Sequence, residues 1–423
     1  MQNNRVVITG LGVVAPNGIG INEFTEAIKT ATSGIKHDPE LERLQFSCQI
    51  AGKPIISETL QSEYFTPLEL RNFNSSGIMY GVIAGMQAWQ DAGLPTSIND
   101  TPDWDSGTIF GTGTSGIDKF RESIYKIDNF ETRKLGSTAV AQTMNSGVSA
   151  YLAGKLGLGN QVTTNSSACT TGTESIIMGF DRIRTGQAKR MLVGSTSDSG
   201  PYIWGGFDAM RVCTFKHNQS PEEGSRPMSA SASGFVPGSG AGALLLEDLE
   251  TALARNATIY AEVLGGNINS GGQRGEGTMT APNSIAVQKC ITDTLKQTGI
   301  KASEIDTING HLTATSKDSL EIKNWTEALG LAGLDFPYIN SLKSTVGHCL
   351  SAAGSIESIA TVLQLHQGFI FPNRNCSDIH PEITAIIHTS KITQQLLNKD
   401  SSIAIKASFG FGDVNACVVF KKY

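Results

Sequence analysis

The sequence has no Cys-x-x-Cys pair, no apolar run near the length of a membrane span, no low-complexity stretch and no excess of basic charge. Each absence excludes something. Seven cysteines (Cys48, Cys169, Cys213, Cys290, Cys349, Cys376 and Cys417) are an odd number without metal-type spacing, so neither a disulfide framework nor a zinc site is indicated. Reduced thiols fit a cytoplasmic setting. The opening Met1–Thr9 enters a strand-like run without a charged segment and long apolar core, so no secretory leader is expected. A membrane span needs roughly 20 apolar residues. A net charge of −6 argues against non-specific nucleic-acid binding, although a local basic patch can still dock an acidic protein.

What is present is a large potential core and many turns. The chain has 423 residues, 39% of them hydrophobic and only 17% charged. Its 46 glycines cluster between apolar runs, as tight strand–helix junctions require. Short apolar strands are predicted at residues 5–14, 108–113, 161–164, 190–194, 241–247 and 259–264, and again at 307–310, 403–407 and 416–420. Helices are predicted over 21–30, 78–91, 148–156, 175–184, 285–297, 320–329 and 355–364. The alternation indicates an α/β layered fold, and the second half repeats the rhythm of the first. No polar linker divides the halves, so they are expected to pack together.

Four segments could carry chemistry. Asn165-Ser-Ser-Ala-Cys169-Thr-Thr-Gly172 lies between a strand and a helix, with small neighbours around the thiol. A helix start offers free N–H groups and a positive dipole end, which favour a thiolate nucleophile. A cysteine there can equally be a buried small hydrophobe. Asn309-Gly-His311-Leu-Thr313-Ala-Thr315 follows a strand. Ser341-Leu-Lys343-Ser-Thr-Val-Gly-His348 reads as a strand-like run before the helix that carries Glu357. Residues beyond strand ends are where α/β sites collect. His37, His217, His366, His380 and His388 fall in polar loops or on helix surfaces and read as ordinary. Lys406-Ala-Ser-Phe409-Gly-Phe411-Gly412 suggests backbone that approaches a ligand, or simply a turn between core phenylalanines.

In that order, Ser-Ala-Cys169, His311-x-Thr-x-Thr, Lys343-x4-His348 and Phe409-Gly-Phe-Gly resemble the elongating β-ketoacyl-ACP synthases of type II fatty-acid synthesis and type II polyketide ketosynthases. Val7–Gly18 and Arg226–Gly242 extend the resemblance from about Arg5 to Lys421. It implies the thiolase-like fold: two pseudo-equivalent halves, residues 1–253 with the nucleophilic cysteine and 254–423 with both histidines and the lysine, each a mixed five-stranded sheet, in α-β-α-β-α layers. It also implies a homodimer, or a heterodimer with a ketosynthase-like subunit, working on acyl carrier protein thioesters. No metal or organic cofactor is implied, because CO2 loss drives bond formation.

The resemblance further implies roles. Cys169 would accept the acyl group. His311 and His348 would stabilise the enolate left when a malonyl thioester loses CO2. Lys343 would set the field, oriented by Glu357. Backbone N–H groups of Cys169 and Phe409 would form the oxyanion hole, with Phe409 as gate. Thr313 and Thr315 would hold pantetheine, Thr114, Phe207 and Phe411 would line the acyl pocket, and Arg71 and Arg211 would meet the carrier. The sequence departs from the family at Leu312 (usually glycine), at Gly412-Asp413-Val414-Asn415, at the small floor Thr114-Ser115-Gly116, and in a carrier-docking segment thinned to Arg71. A specialised polyketide, polyene or pigment-type ketosynthase is therefore the alternative. A chain-length-factor partner would lack the cysteine, and a thiolase would carry a second cysteine where Phe409-Gly-Phe-Gly stands.

Overall fold

The computed structural model describes residues 3–96 and 100–423, so Met1 and Gln2 of the opening segment lie outside it. The first half runs β1 (Val6–Ala15), α1 (Ser76–Asp91), β2 (Ser106–Thr112), α2 (Gly147–Leu156), β3 (Val162–Thr163), α3 (Thr171–Arg184), β4 (Arg190–Ser197) and β5 (Gly240–Asp248). The second half repeats it: β6 (Ala261–Ser270), α4 (Ser284–Thr298), β7 (Thr307–Asn309), α5 (Asp318–Leu329), β8 (Tyr338–Asn340), α6 (Ala353–Gln367), β9 (Ile403–Gly410) and β10 (Val414–Lys421). The strand orders are identical, β3-β2-β4-β5-β1 and β8-β7-β9-β10-β6. In each half the first three are parallel and the last two antiparallel. The halves join where Val6–Ile8 of β1 pair antiparallel with Ala261–Val263 of β6. The expected division at 253/254 falls in the short helix Leu249–Ala254 between them.

The layering follows from which helices are apolar all round. In α6 every residue from Ala353 to Leu365 is buried, the mark of a helix enclosed on all sides. It packs against α3, and the pair lies between the two sheet halves, with α1 and α2 outside one half and α4 and α5 outside the other. Glycine sets how closely the central helices meet. A Cβ at Gly172 would stand 2.4 Å from the Ser355 amide nitrogen, and one at Gly354 2.5 Å from that of Thr173. This contact brings the starts of α3 and α6 together, and with them the segments that carry Cys169 and His348.

Two expectations change. Ser341–His348 is not strand-like: β8 ends at Asn340, a short helix spans Lys343–Val346, and Gly347 turns the chain at φ +72°. The helices Ile117–Asp128 and Pro201–Ala209, absent from the sequence reading, occupy the connections after β2 and β4. The first is amphipathic, but its apolar residues Phe120, Ile124 and Ile127 are half exposed.

Candidate active site

Cys169 sits in a single turn, Ala168–Thr170, that leads into α3. Ala168 takes φ +49°, a left-handed conformation costly for any residue with a Cβ. Thr171 holds it there: its hydroxyl donates to the Ala168 carbonyl at 2.7 Å and accepts the Ser167 N–H at 2.9 Å. The thiol is almost fully buried. Burial pushes it up to about 11, against the pull of the Lys343 ammonium and of two backbone N–H groups, those of Phe411 and of Cys169 itself. The expectation of a thiolate favoured by the helix start is therefore corrected. Desolvation outweighs dipole and lysine, and the resting group is a thiol. The amide of the glycine loop that reaches the resting sulfur is that of Phe411, two residues beyond Phe409.

His311 follows β7 and is fixed through its backbone. Glu321 in the first turn of α5 accepts the N–H groups of His311 and Leu312, both at 2.7 Å. Asp318 accepts those of Thr313 and Ala314 at 2.9 and 3.1 Å. These bonds impose positive φ at Leu312 (+20°) and Ala314 (+63°), so the usual glycine is replaced by a buried leucine in a conformation that glycine favours. Burial holds both acids high, Asp318 at about 6 and Glu321 at about 7, despite the amides. Their pinning role was missed from sequence, where the signal was Asp-x-x-Glu opening a helix just after the histidine.

His348 is fixed at its ring. The Leu350 N–H donates to Nδ1 at 3.1 Å, which leaves the neutral ring's proton on Nε2. Burial, Lys343 and Lys406 push both histidines well below the ordinary range, so both are neutral. Their rings stand 5.3 Å apart, near perpendicular. One atom from each of Cys169, His311 and His348 lies within 4.8 Å of the others. The set of a thiol and two imidazoles resembles a zinc triad, but His348 Nδ1 accepts the Leu350 N–H rather than donating to a carboxylate or carbonyl. The trio fits a nucleophile with two donors better than an ion.

Behind the trio, Lys343 Nζ lies 2.5 Å from Glu357 Oε1 and Lys406 Nζ 2.6 Å from Oε2, all three fully buried. Lys343 and Glu357 were expected to pair. Lys406 was noted only as a neighbour of Phe409.

A cavity of about 280 Å³ opens from Cys169, His311 and His348. Thr313 and Thr315 line it, their hydroxyls 3.1 Å apart, as do Phe207, Phe409 and Phe411. An aromatic row runs from Phe411 through Phe207 and Phe235 to His348, with centroids 5.9, 5.6 and 5.2 Å apart, tilted at the first contact and edge-to-face at the other two. Phe235 was not foreseen. Phe409 is buried between His311 and Trp325. Thr114 is not brought to this cavity. The loop after β2 turns it outward and exposed, which corrects its place in the acyl pocket of a single chain. Arg71 and Arg211 are exposed on the surface. The altered glycine loop is explained by Asp413. Its buried carboxylate accepts the N–H groups of Gln273 and Asn283 at 3.0 and 2.8 Å and ties the Gly271–Asn283 loop, which carries Thr280–Pro282 of the cavity wall, to the active-site turn.

Two duplicated α/β halves, closed on a central helix pair with a cysteine elbow and two neutral histidines between them, define a thiolase-like condensing enzyme. Comparison with known proteins places it further. The Beta-ketoacyl synthase N-terminal domain profile matches residues 3–252, and the C-terminal domain profile residues 260–377. The chain is 32% identical over 432 residues to 3-oxoacyl-[acyl-carrier-protein] synthase 2 of Vibrio harveyi, covering 100% of this chain and 99% of that one. It is 30% identical over 427 residues to 3-oxoacyl-[acyl-carrier-protein] synthase 1 of Haemophilus influenzae, covering 99% of each. Its fold matches a type II PKS ketosynthase solved with its acyl-carrier protein, at TM-score 0.86 and 28% identity over 100% of both chains. It also matches the ishigamide ketosynthase/chain length factor, at TM-score 0.87 and 26% identity over 100% of both. The chain belongs to the β-ketoacyl synthase family, enzymes that condense acyl groups.

Proposed function

We propose that this chain is an acyltransferase of the 3-oxoacyl-ACP synthase type. It condenses an acyl group held on Cys169 with malonyl-ACP and lengthens the chain by two carbons. The observation that carries this reading is the convergence of Cys169 with two neutral imidazoles at the end of one cavity. An acyl-ACP thioester is attacked by the Cys169 sulfur, whose proton passes by way of an imidazole of the cluster to the departing carrier sulfur, so that the carrier leaves as a thiol and the imidazole returns to its neutral form. The N–H groups of Cys169 and of the glycine loop receive the oxyanion. Malonyl-ACP then enters, loses CO2, and leaves an enolate whose oxygen accepts from neutral imidazole N–H groups, His348 Nε2–H foremost. The carbanion attacks the thioester, giving 3-oxoacyl-ACP and the free cysteine. Thr313 and Thr315 take the pantetheine arm, and Phe409 gates the cavity.

The partners are carrier proteins, met at Arg71 and Arg211, and a second ketosynthase-type subunit. The exposed apolar side chains of Phe120, Ile124, Ile127 and Phe130 support a dimer, in which the neighbouring Thr114 can reach the acyl channel. All seven cysteines are free and buried, which supports a cytoplasmic setting. The duplicated topology supports a division near residues 253/254. The polyketide or polyene variant of the same chemistry is favoured by one observation, the continuous aromatic row along the cavity, which suits a flat conjugated chain. The test is intact-mass profiling of Cys169 acylation over saturated and polyunsaturated acyl-ACPs. Loading of saturated chains alone would favour the fatty-acid reading. Preference for polyunsaturated chains would favour the second, and no loading at all would sink both.

A further inference from the structure

Lys406 takes no step in the chemistry described above, yet it is buried at its centre. It lies on β9, in register with Asn309 at the end of β7, two residues before His311. Its side chain is fully enclosed. Nζ lies 2.6 Å from Glu357 Oε2 and 3.5 Å from the carbonyl oxygen of Gly310, and it also contacts the Ala407 carbonyl oxygen. The other Glu357 oxygen belongs to Lys343. Lys343 and Glu357 alone would be a neutral buried pair, and such a pair is self-sufficient. A second lysine on the same carboxylate leaves one positive charge uncompensated beside the two imidazoles.

We propose that Lys406 is a positioning residue for the condensation: it holds the free oxygen of Glu357 and supplies the net positive charge that keeps His311 and His348 in their neutral, N–H-donating form. The inference rests on the enolate role assigned to those rings. The titratable and charged groups that face them are Lys343 from the turn after β8, Lys406 from β9, Glu357 from α6, Asp318 and Glu321 from α5, and Cys169 at the head of α3. Glu357 carries two lysines. Asp318 and Glu321 are held high by burial and are spent on backbone amides. The residual field at the rings is positive, and a cation opposes formation of an imidazolium. Burial pulls Lys406 below the usual lysine range while Glu357 pulls it back, so its charge depends on that carboxylate.

The sign of the test follows. Without the Lys406 charge each imidazole binds a proton at higher pH, so a smaller fraction is neutral at a given acidic pH. Lys406→Met should move the acid limb of the pH–rate profile for CO2 release from malonyl-ACP upward by about one pH unit. Lys406→Arg, which keeps the charge, should restore it at least in part. Acyl loading of Cys169 near neutral pH should change less than decarboxylation. A Lys406→Met enzyme whose acid limb stays in place, whatever its thermal stability, would overturn the proposal. Independently of activity and of any variant, ¹⁵N NMR of histidine-labelled wild-type protein should show two rings still neutral at pH 5.5. Protonation of all seven in the ordinary range around pH 6.5 would also overturn it. Wild-type protein that fails to release CO2 would count against the condensing function, and the same NMR titration of Lys406→Met, whose two rings should take a proton at higher pH than in the wild type, would still decide the role of Lys406.

Discussion

The molecule builds the same elbow twice and uses it once. In the first half, Ala168 at φ +49° precedes Cys169, and two residues later α3 begins. In the second half, Leu350 at φ +50° precedes Ser351, and two residues later α6 begins. The strained turn is therefore a property of the duplicated frame, where the starts of two central helices must meet at van der Waals distance. What differs is the side chain after the strain. The Cys169 sulfur faces the cavity. The Ser351 hydroxyl is buried and donates to the Thr196 carbonyl at 2.7 Å. The second elbow works instead through its backbone, because the Leu350 N–H fixes the His348 tautomer. The loops after the second strands diverge in the same way: the one after β7 holds His311 inward with two acids, while that after β2 turns Thr114 to the surface.

The sharpest way to break this comparison is at the two elbows. Cys169→Ala should lower condensation by at least about 10³-fold, measured as 3-oxoacyl-ACP formation. Adding Ser351→Cys to that variant should not restore an acyl adduct, since the second elbow points its side chain into the packed protein. An adduct on residue 351 by peptide mass would make the elbows interchangeable and the comparison empty.

Next in size are the histidines. His348→Ala and His311→Ala should each lower CO2 release from malonyl-ACP by about 10²–10³-fold, the usual cost of one lost donor to a developing oxyanion. Both should spare acyl transfer to Cys169 by comparison. CO2 release retained in both variants would remove the enolate role.

A pH experiment sharpens the contrast between the two cysteines near the elbows. A raised thiol means less thiolate at a given pH, so alkylation of Cys169 by iodoacetamide should rise about tenfold per pH unit and level off only near the pKa of about 11. A plateau near pH 8.5, the ordinary thiol value, would contradict burial as the dominant effect. Cys349, fully buried one residue before the second elbow, is pushed higher still and should remain unlabelled in the folded protein.

The smallest effect concerns the loop that the second half adds to the cavity wall. Asp413→Ala leaves the Gln273 and Asn283 amides without their acceptor, costing about 1–3 kcal/mol in thermal or denaturant unfolding. KM for malonyl-ACP should rise several-fold while Cys169 acylation persists. An unchanged KM would detach this loop from substrate binding.

The frame and the trio were legible in the sequence because each leaves a local mark. Strand–helix alternation, a cysteine at an elbow and histidines after strand ends are patterns of neighbouring residues. The remainder depends on contacts distant along the chain. Lys406 meets Glu357 across 49 positions of the chain, and nothing beside Lys406 announces its partner. Asp413 looks like a damaged glycine motif until the Gly271–Asn283 loop folds onto it. The strand reading of Ser341–His348 failed because a buried helix of four residues is too short to show a period. The thiolate expectation failed for a physical reason: a helix start is a local signal, whereas desolvation is set by everything packed around the sulfur.

The central claim is that acyl transfer and decarboxylation meet at one cysteine. Its most direct test is time-resolved intact mass spectrometry of the enzyme given acyl-ACP and then malonyl-ACP, with released CO2 counted in parallel. The account expects a single acyl adduct on Cys169 that forms with the first carrier and disappears with the second, one CO2 per adduct lost. No adduct, an adduct on another cysteine, or discharge without CO2 would contradict it.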